Sequence, residues 1–547
     1  MPTLNWIGKD KVISHHQDVP YRVLEHKYGF TAKKEEQTEP TQSGNKIIHG
    51  DNLEALKSLL PEYEGKVKCI YIDPPYNTGK EGWAYNDNVN HPKILKWLGE
   101  VVGKEGDDLS RHDKWLCMMY PRLKLLHKLL AKDGIIFISI DDYEYHNLLS
   151  LTNEIFGIKN KIATSIWDLG TGTQAGHFVR AHEYVLVYAK NKDLVPNFKG
   201  GEGIIKHSAL KKISYKNPES EFTFPVGTRF DAPDNTILEK NWGGSEKTTL
   251  VSGTMKSVKG KLSKPVTLSA GWAMKSQMQS WFYEDPENTY DTKGQKLQEF
   301  YFNKSGVLTY IKEKSVTNPP TVLRGIANTK TGSSELTNII GPNKFDFPKP
   351  SALIKFLLKL VTEKNDIILD SFAGTGTTGQ ATLELNKEDN SNRKFILIEL
   401  EDYAEEVTAE RIKRVSKGFK TKTVNFEKLG GAFDFYELGL PLFDDNQNLN
   451  EKVETEKIRE YIWFSETRTP FKKTKENNYF LGKKDESVYY FIYEKDKLTT
   501  LDFDALELVK TKGEQYVIYA DNCLLPKDFM AKNNIIFKKI PRDITRF

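Results

Sequence analysis

Cysteine is scarce in this sequence: Cys69, Cys117 and Cys523 are far apart and form no CxxC pair. That spacing argues against a disulfide framework and a structural zinc site, and it suits a reducing cytosol. Long apolar runs are missing too, and no uninterrupted stretch is long enough to cross a bilayer, so no membrane span is expected. The opening residues, MPTLNWIGKDK, have no apolar core behind a basic start, and no export leader is expected. No internal repeat recurs, and no nucleotide-hydrolysis loop of the form GxxxxGKS or GxxxxGKT occurs. Neither charge sign dominates: 79 Lys and Arg stand against 75 Asp and Glu. This balance permits a nucleic-acid partner without implying one.

What is present can fold. The hydrophobic share is 38% of 547 residues, which supports about three or four domain-sized units. Residues 1–45 are polar, with a charged stretch from Lys33 to Thr41, and read as an arm and linker or as a cap on the next domain. From 46 to 193 strands alternate with helices. KCIYI, at 68–72, is a β-rich run stopped by Asp73-Pro74-Pro75. Met119, Leu123, Leu126 and Leu130 recur at helical spacing, and GIIFISI and HEYVLVYAK read as strands. From 194 to 340 the helical period is lost. Gly, Ser, Thr, Asn and Lys dominate among aromatics such as Tyr215, Phe222, Trp272 and Tyr283, as in a loop-rich domain that meets phosphates and bases, or a small β-rich insertion with an aromatic core. From 341 to 416 the alternation resumes with the strands DIILD and KFILIEL. Residues 417–547 are mixed and charged, with short aromatic strands such as SVYYFIYE and no catalytic motif. The alternating segments predict a mostly parallel sheet covered on both faces, an α/β fold.

Two turns carry chemistry. The strand DIILD runs into Gly374-Thr375-Gly376-Thr377-Thr378-Gly379 and then a helix. Glycines let backbone amides approach a ligand, and the helix start offers free N–H groups. Glu399 ends the next strand, about 20 residues on, where an acid can accept from ribose hydroxyls. Alone, this pattern fits a dinucleotide enzyme, an S-adenosylmethionine fold or a purely structural glycine turn. The second turn, Asp73-Pro74-Pro75-Tyr76, ends the strand KCIYI. An exocyclic aromatic amine is a poor nucleophile because its lone pair is delocalised. The Asp73 carboxylate and the Pro74 carbonyl can accept its two N–H groups, Pro75 can stiffen the turn, and Tyr76 can stack on the base. On four residues alone, an ordinary turn that ends a strand fits as well.

Asp73-Pro-Pro-Tyr76 followed, after a variable region, by Phe372-Ala-Gly374-Thr-Gly376 resembles the amino-methyltransferases of DNA in the circular arrangement of the beta class. HGDNLEAL, LLAKDGIIFISIDDYE, HEYVLVYAKN and FDFPKPSALI are similar to family segments in the same places. DPPYNTGKEGWAYND, the length and the tail FDFYELGLPLF resemble modification subunits of type III restriction-modification systems, although this chain is somewhat shorter than such subunits.

The resemblance implies a circularly permuted, Rossmann-like methyltransferase fold in two halves, 46–193 and 341–416. A target-recognition domain is inserted at 194–340, and an α+β C-terminal domain at 417–547 serves dimer or partner contacts. It implies that Asp73, Pro74, Pro75 and Tyr76 act on the target base. Phe372, Gly374, Gly376 and Thr377 would form the pocket for S-adenosylmethionine above Asp370, with Glu399 on the ribose and Lys349, Pro350 and Ser351 near the methionine end. Asp51 lines the cofactor or base pocket, or caps the helix NLEALKSLL. Asp141 and Asp142 read as end-of-strand turn or capping residues. No metal is implied.

The implied partners are duplex DNA, a second copy of the chain and a separate helicase-nuclease restriction subunit, in a bacterial cytoplasm. Asp before Pro-Pro-Tyr favours N6 of adenine, with N4 of cytosine, a solitary methyltransferase and an RNA substrate as alternatives. A nicotinamide dehydrogenase would leave Asp-Pro-Pro-Tyr without work, and a specificity subunit without catalysis would not need it. The resemblance requires the two turns to lie side by side in one sheet.

Overall fold

The computed structural model describes residues 3–77, 111–175, 177–202, 206–312, 316–342, 344–421, 424–444, 446–473 and 478–545. Within DPPYNTGKEGWAYND, the part after Asn77 lies outside the described residues. The chain divides into two compact units, residues 1–196 with 321–547, and residues 197–320.

The larger unit is built on one sheet. Its strands, in chain order, are β1 (Arg22–Thr31), β2 (Glu35–Gln37), β3 (Lys46–His49), β4 (Val67–Ile72), β5 (Leu130–Ile140), β6 (Lys161–Ala175), β7 (Phe178–Ala189), β8 (Val322–Leu323), β9 (Ile367–Asp370), β10 (Lys394–Glu399) and β11 (Ala432–Pro441). They lie in the order β2-β1-β11-β3-β10-β9-β4-β5-β7-β6-β8. The six central strands, β11 to β5, are parallel, whereas β7 runs antiparallel to β5 and β1 antiparallel to β11. The mostly parallel α/β sheet expected from the sequence is present.

The strand composition explains the layering. Along β10, Ile396 and Ile398 join one core, while Phe395 and Leu397 join another. A strand buried on both faces runs apolar at successive positions, as Phe395 to Ile398 do. On the first face pack α1 (Asn52–Tyr63), α2 (Arg111–Leu129) and α3 (Tyr145–Phe156), through Leu56, Leu123 and Leu148. On the second pack α4 (Thr329–Ile340), α6 (Thr377–Asp389) and α7 (Glu410–Lys417), through Leu336, Leu383 and Ile412; α5 (Ser351–Val361) lies against α6.

Several segments do more than their local pattern suggests. The polar opening residues supply Trp6, Val12 and Val19 to the first core and β1 and β2 to the sheet edge. Residues 321–340, read from composition as part of the insertion, supply β8 and α4 to the larger unit. FDFYELGLP, read as part of a C-terminal domain, is β11 and lies between β1 and β3. These strands find their partners far away in the chain, so no local period reveals them.

The smaller unit has an antiparallel sheet of Ser220–Phe224, Val266–Ala270, Thr248–Ser252 and Asn241–Trp242. Phe222, Phe224, Phe230, Trp272, Phe300 and Phe302 fill its core, whereas Tyr215 and Tyr283 are exposed. Most aromatics of the insertion therefore hold it together.

Phe433 of β11 is fully buried against Phe30 of β1, their rings 5.3 Å apart. Phe433→Ala is expected to destabilise the larger unit by about 3–5 kcal/mol. Urea denaturation followed by far-UV circular dichroism checks this, and a wild-type midpoint would show that β11 is not integral to the sheet.

Candidate active site

β4 and β9 are neighbouring parallel strands, with Ile70 paired to Leu369. Both end at an aspartate on the same edge of the sheet, Asp73 after β4 and Asp370 at the end of β9. The carboxyl ends of parallel strands are where α/β sheets place their ligands. The Asp73 and Gly374 turns thus share one cleft, lined by Tyr71, Asp73, Phe345, Lys349, Asp370 and Phe372 together with the glycine turn.

The glycine turn is held from below. Gly374 and Gly376 have φ of +51° and +77°, the left-handed region that favours glycine. A Cβ on Gly376 would also stand 3.0 Å from the Thr408 carbonyl. Asp370 accepts from Phe372 N at 3.0 Å and from Thr378 Oγ1 at 2.6 Å. Burial pushes its carboxyl up to about 7, although these two donors oppose the shift. Glu399 accepts from Gly374 N at 2.7 Å and Glu401 N at 2.9 Å, and burial pushes it up to about 8 against those bonds. Its Oε2 thus braces the glycine turn, while its Oε1 holds the chain just after β10. Arg411, fully buried, donates to Thr375 Oγ1 at 2.7 Å, Thr377 Oγ1 at 2.8 Å and Gln380 Oε1 at 2.7 Å.

The Asp-Pro-Pro-Tyr turn is held from the side. Trp115 of α2 donates its Nε1 to the Pro75 carbonyl at 2.7 Å. Lys349 reaches across from the start of α5. Its Nζ lies 2.8 Å from Asp73 Oδ2, 2.8 Å from the Tyr76 hydroxyl and 3.4 Å from Glu183 Oε2. Its carbonyl accepts from Thr377 Oγ1 at 3.2 Å, so one residue is tied to both turns. Burial alone would lower the ammonium's pKa, but Asp73 and Glu183 outweigh it and hold the pKa above the ordinary lysine value. Asp73 Oδ1 is buried and has no hydrogen-bond partner among the described residues. An orphaned carboxylate oxygen is costly unless something completes it.

The remaining expectations divide. Asp51 is the N-cap of α1, accepting from Leu53 N at 2.8 Å and Glu54 N at 3.2 Å, with Arg122 at 3.4 Å. It does not line the cleft. Ser351 turns to α4, where its N and Oγ bond Glu335 at 3.0 and 2.8 Å, and Pro350 caps α5. Lys349, expected near the methionine end of a cofactor, lines the cleft and has its charge between the carboxylates of Asp73 and Glu183. Asp141 accepts from Tyr143 N and Arg180, as an end-of-strand residue would. Trp115, Glu183, Arg411 and Glu335 went unnoticed in the sequence. Glu183 left one signal: it is in phase with Val185 and Val187, which are buried on the same strand.

A family model described as DNA methylase matches residues 67–410. The Mod subunit of the type III restriction-modification enzyme EcoPI, from Escherichia phage P1, is 32% identical over 78% of this chain and 70% of its own length. The StyLTI Mod subunit of Salmonella typhimurium is 32% identical over 69% of this chain and 58% of its own length. The EcoP15I Mod subunit of Escherichia coli is 27% identical over 77% and 67%. The chain thus spans about six to seven tenths of the length of these relatives. With adjoining strands that carry an Asp-Pro-Pro-Tyr turn and a glycine turn to one cleft, and with this match over most of its length, the chain belongs to the DNA methylase family.

Proposed function

We propose that this chain transfers a methyl group from S-adenosylmethionine to N6 of adenine in a specific duplex DNA sequence, as the modification and recognition subunit of a restriction-modification system. The observation that carries the reading is the buried Oδ1 of Asp73, which has no partner among the described residues, in the cleft it shares with the glycine turn.

The cleft suits the cofactor's chemistry. Two carboxylates, Asp73 and Asp370, and the aromatic residues Phe345, Phe372 and Tyr71 line a space at the N-terminus of α6. Such a lining favours a cation such as a sulfonium next to a carboxylate-bearing end. S-adenosylmethionine, when bound there, supplies an electrophilic methyl group. The protein supplies orientation. Asp73 Oδ1 accepts one N–H of the target amine, and the Pro74 carbonyl accepts the other. Lys349 fixes Oδ2, which leaves Oδ1 for the base. As the amine nitrogen gains its bond to the methyl carbon, that carbon's bond to sulfur breaks and leaves a neutral thioether; the amine then sheds a proton, which Asp73 Oδ1 is positioned to hold. Tyr76 offers its ring to the base, which must first leave the duplex at a cost of a few kcal/mol.

In the DNA amino-methyltransferases that this chain resembles, Asp rather than Ser before Pro-Pro-Tyr favours adenine over cytosine. The insertion, with more Lys and Arg than Asp and Glu, suits site recognition on duplex DNA. Likeness to Mod subunits supports assembly as a homodimer with a restriction subunit. The sequence contains no nucleotide-hydrolysis loop, so ATP-driven cleavage would belong to that partner.

Sequencing of genomic DNA with detection of modified bases, from cells with and without this gene, tests the reading. N6-methyladenine at one recurrent site is expected, and its absence, or N4-methylcytosine in its place, would overturn the assignment. Asp73→Ala should reduce methyl transfer by roughly 10³-fold while DNA binding stays near wild type. Activity within a few-fold of wild type would remove Asp73 from the mechanism.

The Asp370 carboxyl, raised to about 7, gives a pH dependence with a definite sign. Its neutral form predominates below pH 7 and its anion above, and a cationic ligand prefers the anion. Affinity for S-adenosylmethionine should therefore rise roughly tenfold from pH 5.5 to 7, a range below the titration of an α-amino group. Calorimetry in that range should also show proton release. Asp370→Asn should flatten the profile, and an equal slope in the variant would refute this role.

A further inference from the structure

Glu183 is the one member of the buried cluster around Asp73 that none of the chemistry above employs. It lies on β7, opposite Trp167 of β6, and its side chain is 14% exposed. Its Oε2 accepts from the Tyr76 hydroxyl at 2.9 Å and stands 3.4 Å from Lys349 Nζ. The Tyr76 hydroxyl is therefore engaged twice: it accepts from Lys349 at 2.8 Å and donates to Glu183. An oxygen bonded at both ends fixes the position of its ring, and a phenol has few other degrees of freedom once it is packed. Burial, Asp73 and Glu183 all push the Tyr76 hydroxyl upward, so it keeps the proton it donates.

The charges make the same point. One ammonium sits between two carboxylates, Asp73 and Glu183. If Asp73 alone faced Lys349, the buried pair would be neutral and Asp73 would be fully committed to it. The second carboxylate shares the cation and leaves the cluster with a net negative charge, which favours the positive charge that develops on a methylated amine. A buried ion pair also needs further hydrogen bonds to offset desolvation, and Glu183 supplies an acceptor for them.

Resting on the methyltransferase reading above, we propose that Glu183 is a positioning residue for methyl transfer, acting through Tyr76 to hold the target base in line. It touches neither the base nor the cofactor in this scheme. Its loss should spare binding and slow the chemical step, because a displacement of the base of about 1 Å can cost roughly 100-fold.

The test compares Glu183→Ala, Glu183→Gln, Tyr76→Ala and the double variant Glu183→Ala/Tyr76→Ala in methyl transfer to a duplex carrying the recognised site. Glu183→Ala should lower kcat by roughly 100-fold with KM for both substrates within about threefold of wild type. Glu183→Gln, whose amide oxygen still accepts from Tyr76, should recover about tenfold of that loss, and it keeps the test open if the alanine variant fails to fold. The double variant should be no slower than Tyr76→Ala, since a residue that acts through another adds nothing once that other is gone. With 2-aminopurine in place of the target adenine, the fluorescence of the bound duplex should rise in Glu183→Ala as stacking on Tyr76 loosens. Full activity of both Glu183 variants, or additive losses in the double variant, would overturn the inference. Wild-type protein that methylates no adenine would instead overturn the function on which it rests.

Discussion

A single buried ammonium joins the two chemical halves of this protein. Lys349 is 276 residues from Asp73 in sequence, yet its Nζ is 2.8 Å from that carboxylate. The same residue's carbonyl is bonded to Thr377 at the start of α6. Taking an ammonium out of water costs several kcal/mol even after relaxation, so it stays only where carboxylates and hydrogen bonds receive it. That requirement reads in both directions. The Asp73 turn needs the cation to settle one of its oxygens, and the cation needs β4 and β9 to lie next to each other. Register between β4 and β9 and the charge pattern at their ends are thus two aspects of one constraint.

The insertion does not disturb this arrangement because of where it leaves the sheet. Residues 197–320 follow β7 and return at β8, which pairs with β6 at the outer end of the sheet. The parallel strands that carry the turns, β4 and β9, and their neighbours β5 and β10 are all on the other side of β7. A long excursion between edge strands adds loop entropy but breaks no central ladder. The excursion has its own aromatic core, so it need not borrow apolar surface from the larger unit to fold.

The central strands and both turns were legible in the sequence because each depends on local chemistry. KCIYI and DIILD are apolar at nearly every position, which only a strand buried on both faces tolerates, and each stops at an aspartate before a turn. The order of the two motifs then implied one sheet. What stayed hidden depends on distant pairing. β11 carries Asp434 and Glu437 among its aromatics, and gains its place from β1 and β3, far earlier in the chain. Lys349 was visible within FDFPKPSALI, but a lysine between two prolines does not say which carboxylate it will meet. Trp115 gave no sign at all, since one tryptophan on an amphipathic helix reads as core until its indole N–H is seen to hold the Pro75 carbonyl.

The glycine turn shows why so many charged side chains are buried beneath a site whose ligand is small. Its backbone bends through two left-handed residues, and the amide of Gly374 would point at no partner without Glu399. Thr408 closes the carbonyl of the same residue at 2.5 Å, and Arg411 gathers Thr375, Thr377 and Gln380. Each of these bonds satisfies a group that the bend would otherwise leave orphaned in the interior. The price appears in the titration of the supports: Asp370 and Glu399 are raised by burial, while Arg411 is lowered to about 10 by burial against the pull of Glu335. A rigid turn is bought with carboxyls that hold their protons near neutrality, and such carboxyls respond to a cation placed above them. Rigidity of the turn and the raised carboxyls beneath it therefore have a common origin in the burial of the residues that brace it.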